Sequence, residues 1–348
     1  MHTLHKGDAL EWMKSLPAQS VDCVFVDLPY FGVVADDWDN QWKDRNEYLD
    51  WVVSLAHEWK RITKSNSSIF VFCDEKMEAY IQVRLDEIFL LLNKIVWFKK
   101  NSLAKSATET FRSFAPVTER ALFYATSDEA ENFEFESLRK YLDCERKKAK
   151  LNDKEARRKM GISEKGGGLL SHFWGRSQWM LPTYEQYTKL QNAYKGRFTR
   201  SHEDLVQEFE ALRRPFNADS KTWDVIEWQN VQQSDNTDHP TTKPLGLYRR
   251  ILSVITNEGQ TVLDCCMGSG TAGVAALELG RHFLGCELKA EYFAIAEKRI
   301  KKAAQSPSFY TLPNNRLQPT AFGVGTQAEF PLLGGSQAEE SSATNGGR

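Results

Sequence analysis

Short apolar runs separated by amphipathic stretches organise residues 1 to about 126 of this chain. Val21-Asp22-Cys23-Val24-Phe25-Val26 is β-branched and aromatic over a length that suits a strand buried on both faces, so a strand is predicted over residues 21–27. Residues 48–62 place apolar positions at helical spacing, 76–89 do so again, and 68–73, 93–99 and 120–124 read as further strands. Alternation of this kind predicts an α/β domain with a parallel or mixed sheet flanked by helices. From about 127 to 230 the alternation lapses into a basic, aromatic, helical stretch, and from 231 to 304 it resumes. Residues 305–348 are rich in Pro, Gly, Ser, Thr and Ala without periodicity and read as a disordered tail. The α/β part is therefore expected in two pieces, 1–126 and 231–304, split by an insert.

Two strand ends carry the candidate chemistry. The first strand closes on Asp27-Leu28-Pro29-Tyr30. Proline has no N–H for the ladder, so the strand stops and delivers the Asp27 carboxylate to its carboxyl end, the edge where open α/β sheets bind ligands. An acid, a kink and an aromatic ring together suit a planar group that is hydrogen-bonded and stacked, although the string alone is equally a capped turn. Later, Thr261-Val262-Leu263-Asp264 leads into Cys265-Cys266-Met267-Gly268-Ser269-Gly270-Thr271-Ala272-Gly273, a strand, a glycine turn and a helix start. The helix stops at Gly280, and the next strand ends on Glu287, nineteen positions after Gly268. This spacing satisfies the dinucleotide fingerprint and indicates an adenosine-containing cofactor without saying which.

Composition narrows the field. The chain has 348 residues, 41% apolar and 26% charged, which is ordinary for a protein with ample core. No apolar run approaches the ~18 residues of a membrane span, and the first residues lack a signal-peptide core, so a cytoplasmic protein is expected. Six cysteines without C-x-x-C spacing read as buried thiols, and no metal site is expected. The net charge of −2 hides an asymmetry: residues 139–200 hold sixteen Lys or Arg against six Asp or Glu, a local charge of +10. Such a patch is a nucleic-acid footprint candidate, the alternative being a solvated lysine-rich helix.

Four segments together resemble the amino-group DNA methyltransferases that use S-adenosylmethionine, in the order where the catalytic segment precedes the cofactor segment (the β group). Asp27-Leu28-Pro29-Tyr30 is similar to their D/S/N-P-P-Y motif, and Leu263–Thr271 to their L-D-P-F-x-G-S-G-T loop. His239-Pro240-Thr241-Thr242-Lys243-Pro244 matches H-P-T-x-K-P, and Lys6-Gly7-Asp8-Ala9-Leu10 resembles G-D-x-L. The resemblance covers 1–126 and 235–304 and implies a Rossmann-like methyltransferase fold, a mostly parallel sheet with an inserted basic target-recognition module. It implies that Asp27 and the Leu28 carbonyl accept the two amine N–H bonds of a flipped-out base while Pro29 shapes the kink and Tyr30 stacks. It places Asp8, Ala9, Asp27, Thr242, Lys243, Asp264, Gly268, Gly270 and Glu287 around S-adenosylmethionine. Leu28 for proline loosens the kink, and Cys265-Cys266 for Pro-Phe removes a ring beside the cofactor. Asp27, where cytosine-directed relatives often carry serine, favours the N6 amine of adenine over the N4 amine of cytosine.

Residues 152–163 and 169–194 resemble a repressor-type helix-turn-helix, with a recognition helix expected within 164–174 and Ser171, His172 and Arg176 as DNA readers. Gly166-Gly167-Gly168 argues the other way, toward an irregular insert with Trp174 and Trp179 in a small core. The implied partners are double-stranded DNA and a candidate cognate restriction endonuclease, with no membrane, for a monomer or homodimer. Two other classes stand against this expectation, an NAD-dependent oxidoreductase and a non-catalytic DNA-binding regulator. Neither requires Asp27–Tyr30 together with His239–Pro244.

Overall fold

The strand predicted at 21–27 forms at the centre of an eight-stranded sheet. The computed structural model describes residues 1–32, 41–100, 117–126, 135–161, 170–176, 179–229 and 242–305. In chain order the first elements are β1 (His2–Lys6), α1 (Ala9–Lys14), β2 (Val21–Asp27), α2 (Arg45–Ile62), β3 (Thr63–Cys73), α3 (Glu78–Leu85), β4 (Leu90–Lys99) and β5 (Thr118–Ala125). The insert supplies α4 (Glu136–Lys148), α5 (Asp153–Met160), α6 (Ser171–Trp174), α7 (Tyr184–Ala193) and α8 (His202–Leu212). The chain then runs through β6 (Val225–Trp228), α9 (Leu245–Ile255), β7 (Thr261–Asp264), α10 (Thr271–Glu278), β8 (His282–Glu287) and α11 (Ala290–Gln305).

The strand order is β1-β8-β7-β2-β3-β5-β4-β6, with β5 antiparallel to both neighbours and every other pair parallel. The sheet separates two cores. Val24 and Val26 face one, with Val52, Leu55 and Trp59 of α2, and Cys23 and Phe25 face the other, with Leu252, Ile255 and Ala275. Alternate β2 side chains thus meet apolar layers on both faces, which is why the strand reads as an unbroken hydrophobic run. After β2 the chain moves to β3 on one side, whereas after β7 it moves to β8 on the other. The paired strands β2 and β7 (Cys23↔Val262, Val24↔Leu263) therefore flank the topological switch point, where the crevice of a doubly wound sheet opens.

Several elements lay outside the pattern-based expectation, α9 among them. α1 is a short helix begun by Asp8, whose carboxylate accepts the Glu11 N–H at 2.9 Å. β1 is a half-buried strand on the outer side of β8. β6 falls at 225–228, inside the stretch expected to lack strands, and pairs in parallel with β4. Its exposed–intermediate alternation marks a sheet-edge strand with too little apolar character to stand out in sequence. The insert helices share their own core of Leu138, Leu142, Met160, Phe173, Tyr187 and Leu205, with Trp174 buried and Trp179 packed against it. Of the cysteines, 23, 73, 265 and 286 are buried and Cys266 is half-buried, but Cys144 is exposed on α4 rather than buried. No helix among the described residues is long and apolar enough to cross a membrane. The expected tail beyond 305, like His239, Pro240 and Thr241, lies outside the described residues.

Candidate active site

The β2 tip is pinned from three directions. The Leu28 N–H donates to the Phe72 carbonyl at 3.2 Å, extending the β2–β3 ladder by one residue. Proline could not make this bond, so Leu28 tightens the turn where a loosened kink was expected. The Tyr48 hydroxyl of α2 donates to the Pro29 carbonyl at 3.1 Å. The Tyr30 hydroxyl donates to Glu119 Oε2 at 3.2 Å. Asp27 thus projects from a rigid strand end into a cavity that Leu28, Pro29 and Tyr30 also line.

Lys243 is 7% exposed and donates to Asp27 Oδ2 at 2.5 Å and to the Tyr30 hydroxyl at 3.2 Å, and it lies 3.3 Å from Glu119 Oε2. Lys99 holds the other oxygen of Glu119 at 2.7 Å. Burial pushes the Asp27 carboxyl above the ordinary aspartate range, and the Lys243 ammonium only partly offsets this. Burial opposes charge on Lys243, yet Asp27 and Glu119 outweigh it and hold the lysine protonated above its ordinary value. Asp27 Oδ1 is buried and has no hydrogen-bond partner, so one acceptor oxygen at the cavity wall is left unsatisfied.

The same cavity continues to the tips of β7 and β8. Asp264 is buried, its Oδ1 accepts the Cys266 N–H at 3.0 Å, and burial raises its carboxyl well above the ordinary range. Glu287 accepts the Gly268 N–H on one oxygen and the Lys289 N–H on the other, each at 2.9 Å, and burial raises it too. Asp8 and Ala9, at the start of α1, also line this cavity. Arg299 of α11 donates to the Ser269 carbonyl at 2.6 Å and so ties the glycine loop to the last helix.

Sequence reasoning placed Asp8, Ala9, Asp27, Lys243, Asp264, Gly268 and Glu287 in one site, and the structure gathers all seven around one cavity. Thr242 and Gly270 do not line it. Gly270 is needed for another reason. Its φ is +77°, and a Cβ there would meet Ala296 Cβ at 2.9 Å, so it serves the turn and the packing of α11 rather than close approach to a ligand. Lys243, expected beside the cofactor, lines the cavity and also grips the Asp27 carboxylate. Glu119 and Tyr248 went unnoticed. Tyr248 lines the cavity and packs edge-on against Phe25, with ring centroids 4.8 Å apart. Its position four residues after Pro244 was the only available signal.

The expected DNA readers sit elsewhere. α6 is a single turn of four residues carrying Ser171 and His172, and residues 164–169 of the recognition helix expected within 164–174 lie outside the described residues. Arg176 is exposed and approaches Glu136 at 3.4 Å. The same Glu136 receives two hydrogen bonds from Arg139, which hold its carboxyl down at about 2.

The fold is that of a Rossmann-like methyltransferase, with the Asp27, Asp264 and Glu287 carboxylates at neighbouring strand tips. The family N6_N4_Mtase, described as DNA methylase, matches residues 21–298, and the chain belongs to it. The chain thus transfers methyl groups from S-adenosylmethionine to DNA, and hydride transfer from a nicotinamide falls away. It is 24% identical over 305 residues to the DNA adenine methyltransferase YhdJ of Escherichia coli (strain K12), covering 87% of this chain and 83% of YhdJ. It is 23% identical over 352 residues to the Type II methyltransferase M.HinfI of Haemophilus influenzae, covering 96% and 77%. The crystal structure of the M1.HpyAVI–SAM complex superposes with a TM-score of 0.51 at 21% identity, covering 86% of this chain and 99% of that one. The cytosine-N4-specific PvuII DNA methyltransferase reaches 0.50 at 15% identity, covering 87% and 91%, so the fold does not by itself select the base.

Proposed function

We propose that this chain methylates the N6 amine of adenine on a base turned out of double-stranded DNA. The observation that supports this most directly is Asp27 Oδ1, a buried acceptor without a partner, beside a tyrosine ring and in one cavity with Asp8, Asp264 and Glu287. An exocyclic amine is a poor nucleophile because its lone pair is delocalised into the ring. Asp27 Oδ1 accepts one amine N–H, and the Leu28 carbonyl accepts the other, since the Pro29 carbonyl is already engaged by Tyr48. Both bonds favour a pyramidal nitrogen with its lone pair released, and the Tyr30 ring holds the base plane. Burial raises Asp27, which strengthens it as an acceptor for the proton that the amine sheds.

The cavity suits S-adenosylmethionine on the chemistry of its walls. Asp264 suits the ammonium of the amino-acid part and Glu287 the ribose hydroxyls, while Asp8 and Ala9 border the adenine. When bound, that molecule supplies an electrophilic methyl group on a sulfonium centre. The chain's residues orient the amine toward it and exclude water, with no covalent enzyme intermediate. The insert at 127–230 is the proposed target-recognition module, its +10 charge over 139–200 drawing the phosphate backbone and Ser171, His172 and Arg176 being its candidate base readers.

The test is chemical identification of the product. The protein is incubated with S-adenosylmethionine and unmodified DNA, and the digested nucleosides are resolved by mass spectrometry, with Asp27→Ala alongside. N6-methyladenine that vanishes in the variant is expected. N4-methylcytosine would transfer the reading to cytosine, which presents a similar amine, and no methylated base on varied DNA would sink it.

A further inference from the structure

We infer that Glu119 is a positioning residue of this active site, fixing the Lys243 ammonium and the Tyr30 hydroxyl so that Asp27 Oδ1 stays open for the amine. The assignment rests on the methyl-transfer reading above and concerns a residue outside the four family-like segments. Strand direction brings it there. β5 runs antiparallel to β3, pairing Arg120 with Cys73, so its beginning lies at the edge where β2 and β3 end. In a parallel β5 the same edge would receive the end of the strand, and Glu119 would sit at the far side of the sheet.

The hydrogen-bond inventory closes around it. A lysine ammonium has three donors. Three acceptors surround Lys243 Nζ: Asp27 Oδ2 at 2.5 Å, the Tyr30 hydroxyl at 3.2 Å and Glu119 Oε2 at 3.3 Å. The Tyr30 hydroxyl, accepting from Lys243, passes its own proton toward Glu119 Oε2 at 3.2 Å. Lys99 holds Glu119 Oε1 at 2.7 Å and keeps that carboxylate from rotating. These two hydrogen bonds and the ion-pair contact with Glu119 draw the ammonium away from Asp27 Oδ1, which has no partner. Two carboxylates and two ammonium groups also balance in a mostly buried cluster. Without Glu119, the third lysine donor is free to swing onto Oδ1 and occupy the acceptor, and the Tyr30 ring loses its tether. Glu119 does not line the cofactor cavity, so its influence passes through Lys243 and Tyr30.

The experiment compares wild type, Glu119→Gln, Tyr30→Phe and the double variant in methylation of adenine-containing DNA, with S-adenosylmethionine binding followed by calorimetry. Glu119→Gln is expected to bind the cofactor within about twofold of wild type while kcat falls roughly 100-fold, the scale of a misplaced reacting group. The double variant should lose less than the product of the single effects, because both remove one tether. The acid limb of the kcat–pH profile should move to lower pH. Lys243, Tyr30, Tyr248 and Glu119 all bear on Asp27, and deleting the Glu119 charge eases Asp27 ionisation. An unchanged kcat, or a loss of cofactor binding in step with kcat, would overturn the assignment, the latter by showing a general structural role. Wild-type protein that methylates no DNA would remove the underlying reading and this assignment with it. Wild-type activity with an unaffected Glu119→Gln removes the assignment alone.

Discussion

Replacing Lys243 by Met leaves the Asp27 carboxylate without its ion pair and should make both stability and activity depend on pH in a calculable direction. The lysine is 7% exposed and Asp27 22%, with 2.5 Å between the charges, so the pair is largely shielded from water. Removing one partner of a buried pair costs about 3–5 kcal/mol, and the residual exposure of Asp27 points to the lower end. At ~2–4 °C per kcal/mol for a chain of this size, the melting temperature at pH 8 should fall by roughly 6–12 °C. The sign follows from linkage. Burial already raises Asp27 above its unfolded value and Lys243 opposes that rise, so the variant's Asp27 is raised further. A group raised on folding destabilises the native state while it is charged, and the penalty shrinks as pH falls through the folded value and the carboxyl takes up a proton. The stability deficit should therefore be largest where Asp27 is charged and diminish as pH falls through its raised folded value. The catalytic deficit should run the other way, since the protonated carboxyl no longer accepts the amine, and the acid limb of kcat should shift to higher pH. Thermal denaturation and initial rates across pH 5–9 measure both. A stability deficit independent of pH together with an unmoved acid limb would refute the coupling between Lys243 and Asp27.

Two further outcomes follow from other parts of the molecule. Gly273→Ala should lower stability by about 1–3 kcal/mol, seen as a reduced melting temperature, because the new Cβ lies 2.6 Å from Ile300 Cδ1 and 2.7 Å from the buried Phe283 ring. An unchanged melting temperature would show that α10 can shift freely. DNA affinity should fall linearly in log Kd against log salt. Changing Lys147, Lys154 and Arg158 of the insert to Gln should reduce that slope by about one for each phosphate no longer neutralised, as titration of labelled duplex reads. A slope identical to wild type would place the DNA backbone elsewhere.

The site was legible at the positions where local sequence carries its own physics. Asp27 follows an unmistakable buried strand, and Gly268, Asp264 and Glu287 sit in a strand–turn–helix–strand stretch whose spacing is set within one βαβ unit. Glu119 was invisible because its role depends on the direction of β5, which pattern does not encode. Leu28 shows the opposite failure, a departure from the family string that looked like a loss but adds a ladder bond to Phe72.

Sequence by itself determined which carboxylates end which strands, because burial period, proline and glycine act over a few residues. It also determined that a basic module interrupts the α/β pattern, because charge is additive along a chain. Only the tertiary structure decided that Asp27 and Asp264, 237 positions apart, belong to one cavity, through the pairing of β2 with β7. It alone decided that Asp27 and Glu119 share the Lys243 ammonium. Strand partners are selected by long-range burial of both sheet faces, and a side chain's electrostatic neighbours exist only once that selection has been made.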